Sequence, residues 1–132
     1  MRYSGYLLDT CTFLWCLQSP DKLSSKAAAI CQSYEENVYV SVASYWEASI
    51  KYYNNRLPLP VPPKQFFHEE MRRLNFSWLP LEAVAIDQYS SLPRFHQDPF
   101  DRILVCQAIA HQLVLVSDDS QITRYPVPIA WK

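Results

Sequence analysis

The strongest constraint in this chain is the alternation of short, wholly apolar runs with segments of helical character. YLLD at 6–9, VYVSV at 38–42, SWLPL at 77–81 and LVLVS at 113–117 read as buried strands, rich in branched and aromatic residues. Between them, 10–18, 24–36, 43–55, 64–76 and 82–92 carry helical spacing or helix-start signals, and a further helix runs from HQDPFDR to about residue 111. A strand apolar on both faces must be covered on both. The pattern therefore predicts an α/β sandwich around a parallel sheet. LPLPVPP at 57–63 is an extended connector, and YPVPIAW at 125–131 holds one last edge strand.

With 132 residues, 49% of them hydrophobic and 19% charged, the chain is expected to form one domain, 1–132, with a core of its own. No stretch approaches the roughly 20 apolar residues of a membrane span, and MRYSGYLLDT lacks a signal-peptide apolar region, so a cytoplasmic protein is expected. Cys11, Cys16, Cys31 and Cys106 lack paired metal-site spacing and read as reduced, buried thiols behaving as small hydrophobes. The only glycine, Gly5, excludes the phosphate-cradling loops that depend on glycine. A net charge of -1 offers no general attraction for nucleic acid, so any such binding needs local basic residues or metal ions.

In parallel α/β folds the site forms beyond the carboxyl ends of the strands, and that is where the acids lie. Asp9 ends the first strand, Glu47 falls in the first turn of the helix after VYVSV, and Asp118 and Asp119 follow LVLVS. Asp98 and Asp101 begin the helix that feeds that strand. Clustered carboxylates repel unless a cation sits among them. With no histidine or cysteine cluster beside them, such oxygen ligands suit magnesium or manganese.

Each acid also has an ordinary structural role. Asp98 with Pro99 is a helix start whose dipole favours Asp101 in the first turn. Ser44 and Glu47 have capping-box spacing, and Glu47 can pair with Lys51. Asp9 can cap the following helix, and Asp118 or Asp119 can cap a turn into SQITRY. His68, His96 and His111 read as surface or helix-end residues, with His96 near enough to the acidic rim to touch a substrate. Tyr45, Trp46, Tyr52 and Tyr53 read as core or interface residues rather than base-stacking ones.

LLDT at 7–10, VYVSVASYWEASIK at 38–51, HQDPFDRILVCQAIAHQL at 96–113 and LVLVSDD at 113–119 together resemble the PIN-domain family, in its VapC-type ribonuclease toxin branch. The combination of HxDPFDR with SxWExxxK marks one subgroup, and the likeness runs from residue 6 to 131. The resemblance implies a three-layer α/β/α sandwich with a short, mainly parallel central sheet, and Mg²⁺- or Mn²⁺-dependent cleavage of RNA, usually by a homodimer. It also implies a small antitoxin protein as partner.

Carried over residue by residue, the family's acids fall on Asp9, Glu47, Asp101 and Asp119, which would hold the metal and carry catalysis. Asp98, Ser117 and Asp118 support the site, Ser117 standing where a threonine is usual and keeping its hydroxyl. Asp118 stands where a basic residue is frequent, which removes a positive charge beside the site. Lys51, Arg94 and Arg102 are the candidates for neutralising the RNA backbone. The alternatives are a catalytically silent PIN-fold binding module and a phosphoacceptor receiver domain. The second lacks the lysine it needs, since Lys132 is the only lysine after Lys64.

Overall fold

The computed structural model describes residues 3–132, so Met1 and Arg2 of the expected domain lie outside the described residues. Among the described residues five strands form one sheet: β1 (Gly5–Leu8), β2 (Val38–Ser41), β3 (Ser77–Leu79), β4 (Leu113–Val116) and β5 (Ile129–Ala130). Their order is β3-β2-β1-β4-β5 and every pairing is parallel, with Leu8 opposite both Val40 and Val116. Six helices supply the crossovers: α1 (Thr10–Gln18), α2 (Ser25–Gln32), α3 (Val42–Tyr53), α4 (Pro63–Leu74), α5 (Ala83–Asp87) and α6 (Pro99–His111). No helix among the described residues is long and apolar enough to cross a membrane.

The sheet separates two cores, as strands buried on both faces require. On one side Leu8, Val38, Val40 and Val116 meet Phe13 of α1, Ile30 of α2 and Phe67 of α4. On the other, Leu7, Leu113 and Leu115 meet Leu104 and Val105 of α6 and Ile122 and Tyr125 of the tail. Adjacent residues of β1 thus face opposite layers. The expected three-layer sandwich is the observed one.

The lone glycine is required by a close approach. At Gly5, φ is +155° and a Cβ would stand 2.4 Å from the Asn37 carbonyl oxygen, the same oxygen that receives the Tyr6 N–H at 2.8 Å. Any side chain there would push β1 away from the residue that leads into β2.

Several boundaries differ from the sequence expectation, each because a polar side chain or a proline takes over the backbone. β2 ends at Ser41 rather than residue 42, because Ser41 Oγ accepts the Ala43 N–H and caps α3. The Ser44–Glu47 capping box is therefore not formed, and Glu47 sits in the second turn, not the first. The helix expected to reach residue 36 stops at Gln32, since Ser33 Oγ takes the N–H groups of Glu35 and Glu36. The 82–92 helix breaks after Asp87 into a 3-10 turn whose Ser90 and Ser91 hydroxyls bond to nearby carbonyls. Asn75 and Gln112 end α4 and α6 in the left-handed conformation, with φ of 58° and 56°.

Candidate functional site

A cavity of about 430 Å³ opens beyond the carboxyl ends of β1, β2 and β4, lined by Asp9, Glu47, Asp98, Asp101 and Asp119. The fold thus brings the four acids expected to hold metal into one place, together with Asp98. Each is aimed by its own local structure.

Asp9 leaves β1 and caps α1, its Oδ1 accepting the Thr12 N–H at 2.7 Å. It is 4% exposed, and burial raises its pKa despite hydrogen bonds from Ser117 and Thr12. Ser117, fully buried, accepts the Asp119 N–H at 3.1 Å and so holds the backbone that carries Asp119. Asp119 Oδ1 accepts the Gln121 N–H at 2.8 Å and starts the tail turn. Asp118 is exposed and does not line the cavity, which removes it from the supporting set.

Asp98 caps α6 by accepting the N–H groups of Phe100 and Asp101 at 2.9 and 3.2 Å. Asp101 follows in the first turn, and its pKa is pushed up to about 6, first by burial and then by the charge of Asp98. The dipole of α6 favours an anion there, but burial and like charge prevail. HQDPFDR is thus a helix start whose first turn lines the acidic cavity.

Glu47 projects from α3, 6% exposed, with Oε2 held 2.8 Å from Lys51 Nζ one turn on. Its other oxygen, Oε1, is buried without a hydrogen-bond partner. An unpaired buried carboxylate oxygen is costly.

Of the expected basic residues, Lys51 alone lines this cavity. Arg102 is a correction: it is 5% exposed, donates to the Pro93 carbonyl at 2.7 Å and to the Tyr125 hydroxyl at 3.0 Å, and stacks on Tyr89. It points into the α6 core and cannot neutralise a bound substrate. Arg94 lines a separate depression with Ser90, His96 and Gln97, outside the acidic cavity. Two further positive groups line the cavity, Lys22 and Arg56, which the sequence expectation did not include. Lys22 lies beyond Pro20 in a 3-10 turn past the end of α1, where no helical periodicity marks it. Arg56 lies past the end of α3, where no pattern marks it.

Among the described residues no three acidic, histidine or cysteine side chains are gathered tightly enough to enclose a metal ion. The donor set nevertheless fits a hard divalent cation. The partnerless Glu47 oxygen and the mutual repulsion that raises Asp101 are both conditions that a cation between the carboxylates would relieve.

Beyond the cavity, Trp46, Leu81, Ile86, Phe100 and Ile103 form an apolar depression across α3, α5 and α6. Trp46 is 62% and Ile86 51% exposed, which makes this face an unusual one for an isolated surface.

A family model described as PIN domain matches residues 6–128. The chain belongs to the PIN-domain family. Among solved structures, this PIN domain is similar to VapBC2 from Rickettsia felis bound to a promoter DNA fragment, with a TM-score of 0.70, 14% identity and coverage of 96% of this chain and 98% of that one. It is also similar to DNA-bound VapBC from Salmonella typhimurium, with a TM-score of 0.67, 15% identity and 96% of each chain covered. A third likeness is to FitAcB from Neisseria gonorrhoeae, with a TM-score of 0.65, 19% identity and coverage of 94% and 95%. At such identities the likeness carries the fold. No curated protein sequence matches this PIN domain significantly.

Proposed function

We propose that this PIN domain is a metal-dependent endoribonuclease, the toxin of a toxin–antitoxin pair acting in the cytoplasm. The observation that carries the reading is the convergence of acids from β1, α3, α6 and the end of β4 on one cavity, with a buried Glu47 oxygen left unpartnered. Asp9, Glu47, Asp101 and Asp119 would hold Mg²⁺ or Mn²⁺, with Asp98 and Ser117 orienting them. A bound divalent ion would supply an activated water and stabilise the leaving oxygen of the phosphodiester.

The protein's own side chains do the rest. Ser117 hydrogen-bonds Asp9 and holds the backbone that carries Asp119, and the Asp98 cap fixes the first turn that carries Asp101. Lys51, Lys22 and Arg56 supply positive charge along the cavity wall for the RNA backbone.

The structural neighbours are VapBC and FitAcB assemblies, and another is a toxin–antitoxin complex from Klebsiella pneumoniae. These neighbours support a small antitoxin as partner, one that lays a segment across the acidic cavity. The apolar face around Trp46 and Ile86 supports a homodimer through α3, α5 and α6.

The test is cleavage of labelled structured RNAs by the purified chain with Mg²⁺, Mn²⁺ or chelator, beside Asp101→Asn. Metal-dependent cleavage lost in the variant is the expected result. No cleavage together with no metal binding by calorimetry would leave a silent PIN-fold interaction module instead.

A further inference from the structure

Four side chains form a hydrogen-bonded path from the core beneath α6 to the acidic cavity, and the fixed donors along it favour one arrangement of the protons. Arg102 is a donor with no acceptor, so it donates to the Tyr125 hydroxyl oxygen at 3.0 Å. The same oxygen receives the His96 backbone N–H at 3.4 Å. With both lone pairs of the phenol engaged, its single proton is left for His96 Nδ1, 2.8 Å away. An imidazole whose Nδ1 accepts carries its proton on Nε2, and Nε2 stands 3.3 Å from Asp101 Oδ2. The chain of donation runs Arg102 to Tyr125 to His96 to Asp101.

Each member is held by more than this chain. Arg102 is fixed by the Pro93 carbonyl and the face of Tyr89, its guanidinium carbon 4.7 Å from the ring centroid. Tyr125 is 3% exposed and packs against Phe95 with ring centroids 5.0 Å apart. Phe95 in turn lies under Arg124. The side chain of His96 is 14% exposed. The relay therefore starts from buried, packed groups and ends on an acid that lines the cavity.

We infer that His96 and Tyr125 are positioning residues for Asp101: the buried Arg102–Tyr125 pair fixes the Nε2–H tautomer of His96, which grips Oδ2 of Asp101 and leaves Oδ1 for the cavity. The positioning role rests on the nuclease reading above, whereas the tautomer stands without it. Partners of this kind behind a ligating carboxylate fix its rotamer before the ligand arrives. The relay also explains the motif spacing. Asp98 caps the helix, Asp101 turns to the cavity, and Arg102, about 100° further round α6, turns into the core of the α6 layer and reaches back through Tyr125 to the histidine that precedes the helix.

The test uses the full chain, ¹⁵N-labelled and metal-free. Long-range proton–nitrogen spectra of the His96 ring should show Nε2 protonated and Nδ1 bare, and Tyr125→Phe should turn this into a tautomer mixture. A wild-type ring with its proton on Nδ1 overturns the relay. In cleavage assays Tyr125→Phe and His96→Leu should lower kcat by about 10- to 100-fold with KM little changed. His96→Gln, whose amide can place an N–H near the Nε2 position, should recover most of that loss. Equal losses in His96→Gln and His96→Leu, or losses that follow only a fall in melting temperature, also overturn it. If the nuclease reading itself fails, the wild-type chain cleaves no RNA, and the spectrum of the ring alone decides the relay.

Discussion

Glu47 and Lys51 face each other one helical turn apart, yet the lysine engages only one carboxylate oxygen, Oε2, and the buried Oε1 beside it has no partner. On the proposed function, the ammonium thus substitutes in part for the divalent cation. Lys51→Met removes the only side-chain hydrogen bond that Glu47 makes among the described residues, and should cost about 1 to 3 kcal/mol in chelator. Added Mn²⁺ should restore more stability to the variant than to wild type. Thermal melts with and without metal check this, and equal metal-induced gains would refute the substitution.

Neighbouring Asp118 and Asp119 differ in what surrounds them, not in chemistry. Asp119 lines the cavity and its N–H is held by Ser117, while Asp118 is exposed outside it. Asp119→Asn should lower RNA cleavage by about 100-fold or more, and Asp118→Asn should leave it within about threefold. Parallel rate measurements on the same RNA decide the matter. Similar losses in both would mean that the acid after β4 has been misassigned.

Asp101 also makes the metal-free fold sensitive to pH. Its folded-state pKa is raised from 3.8 to about 6 by burial and by Asp98, so between these values the native state binds more protons than the unfolded chain. Stability must then fall as pH rises through that window, and the deficit persists above it. Asp101→Asn should be more stable than wild type at pH 7 in chelator and should flatten the decline between about pH 4 and 6. Denaturant midpoints across pH test this, and a variant less stable than wild type at pH 7 would sink it.

The apolar face around Trp46 and Ile86 gives a prediction about assembly. Trp46→Glu or Ile86→Glu places a charge where two copies would meet and should shift a dimer to monomer with little change in melting temperature. Sedimentation at several concentrations reads this directly. A wild-type chain that is monomeric throughout would assign the face to another partner.

The sheet and its acids were legible because each depends on local information: an apolar run marks a strand, and an acid just beyond it marks the rim. What could not be read was direction around a helix. Asp101 and Arg102 are adjacent in sequence, but one turns to the cavity and the other to the Leu104 layer. Nothing before the fold is known says which. Tyr125 was invisible for another reason: the tail from residue 120 to 128 has no periodicity, and its position is set by packing under Phe95 rather than by a regular element. Glu47 was placed one turn too early because Ser41 and Ser44 both make acceptable caps, and Ser44 is instead engaged by the Thr10 hydroxyl at 2.9 Å.

The strand order carries a consequence for biosynthesis. β1 is made first but lies at the centre of the sheet, paired on one side with β2 and on the other with β4. A ribosome must deliver residues 113–119 before Asp9 can meet Asp119, and closing so long a loop is the slow part of assembling a parallel sheet. A chain still being translated therefore lacks a complete acidic cavity. The topology leaves the cavity incomplete until residues 113–119 have been made and paired.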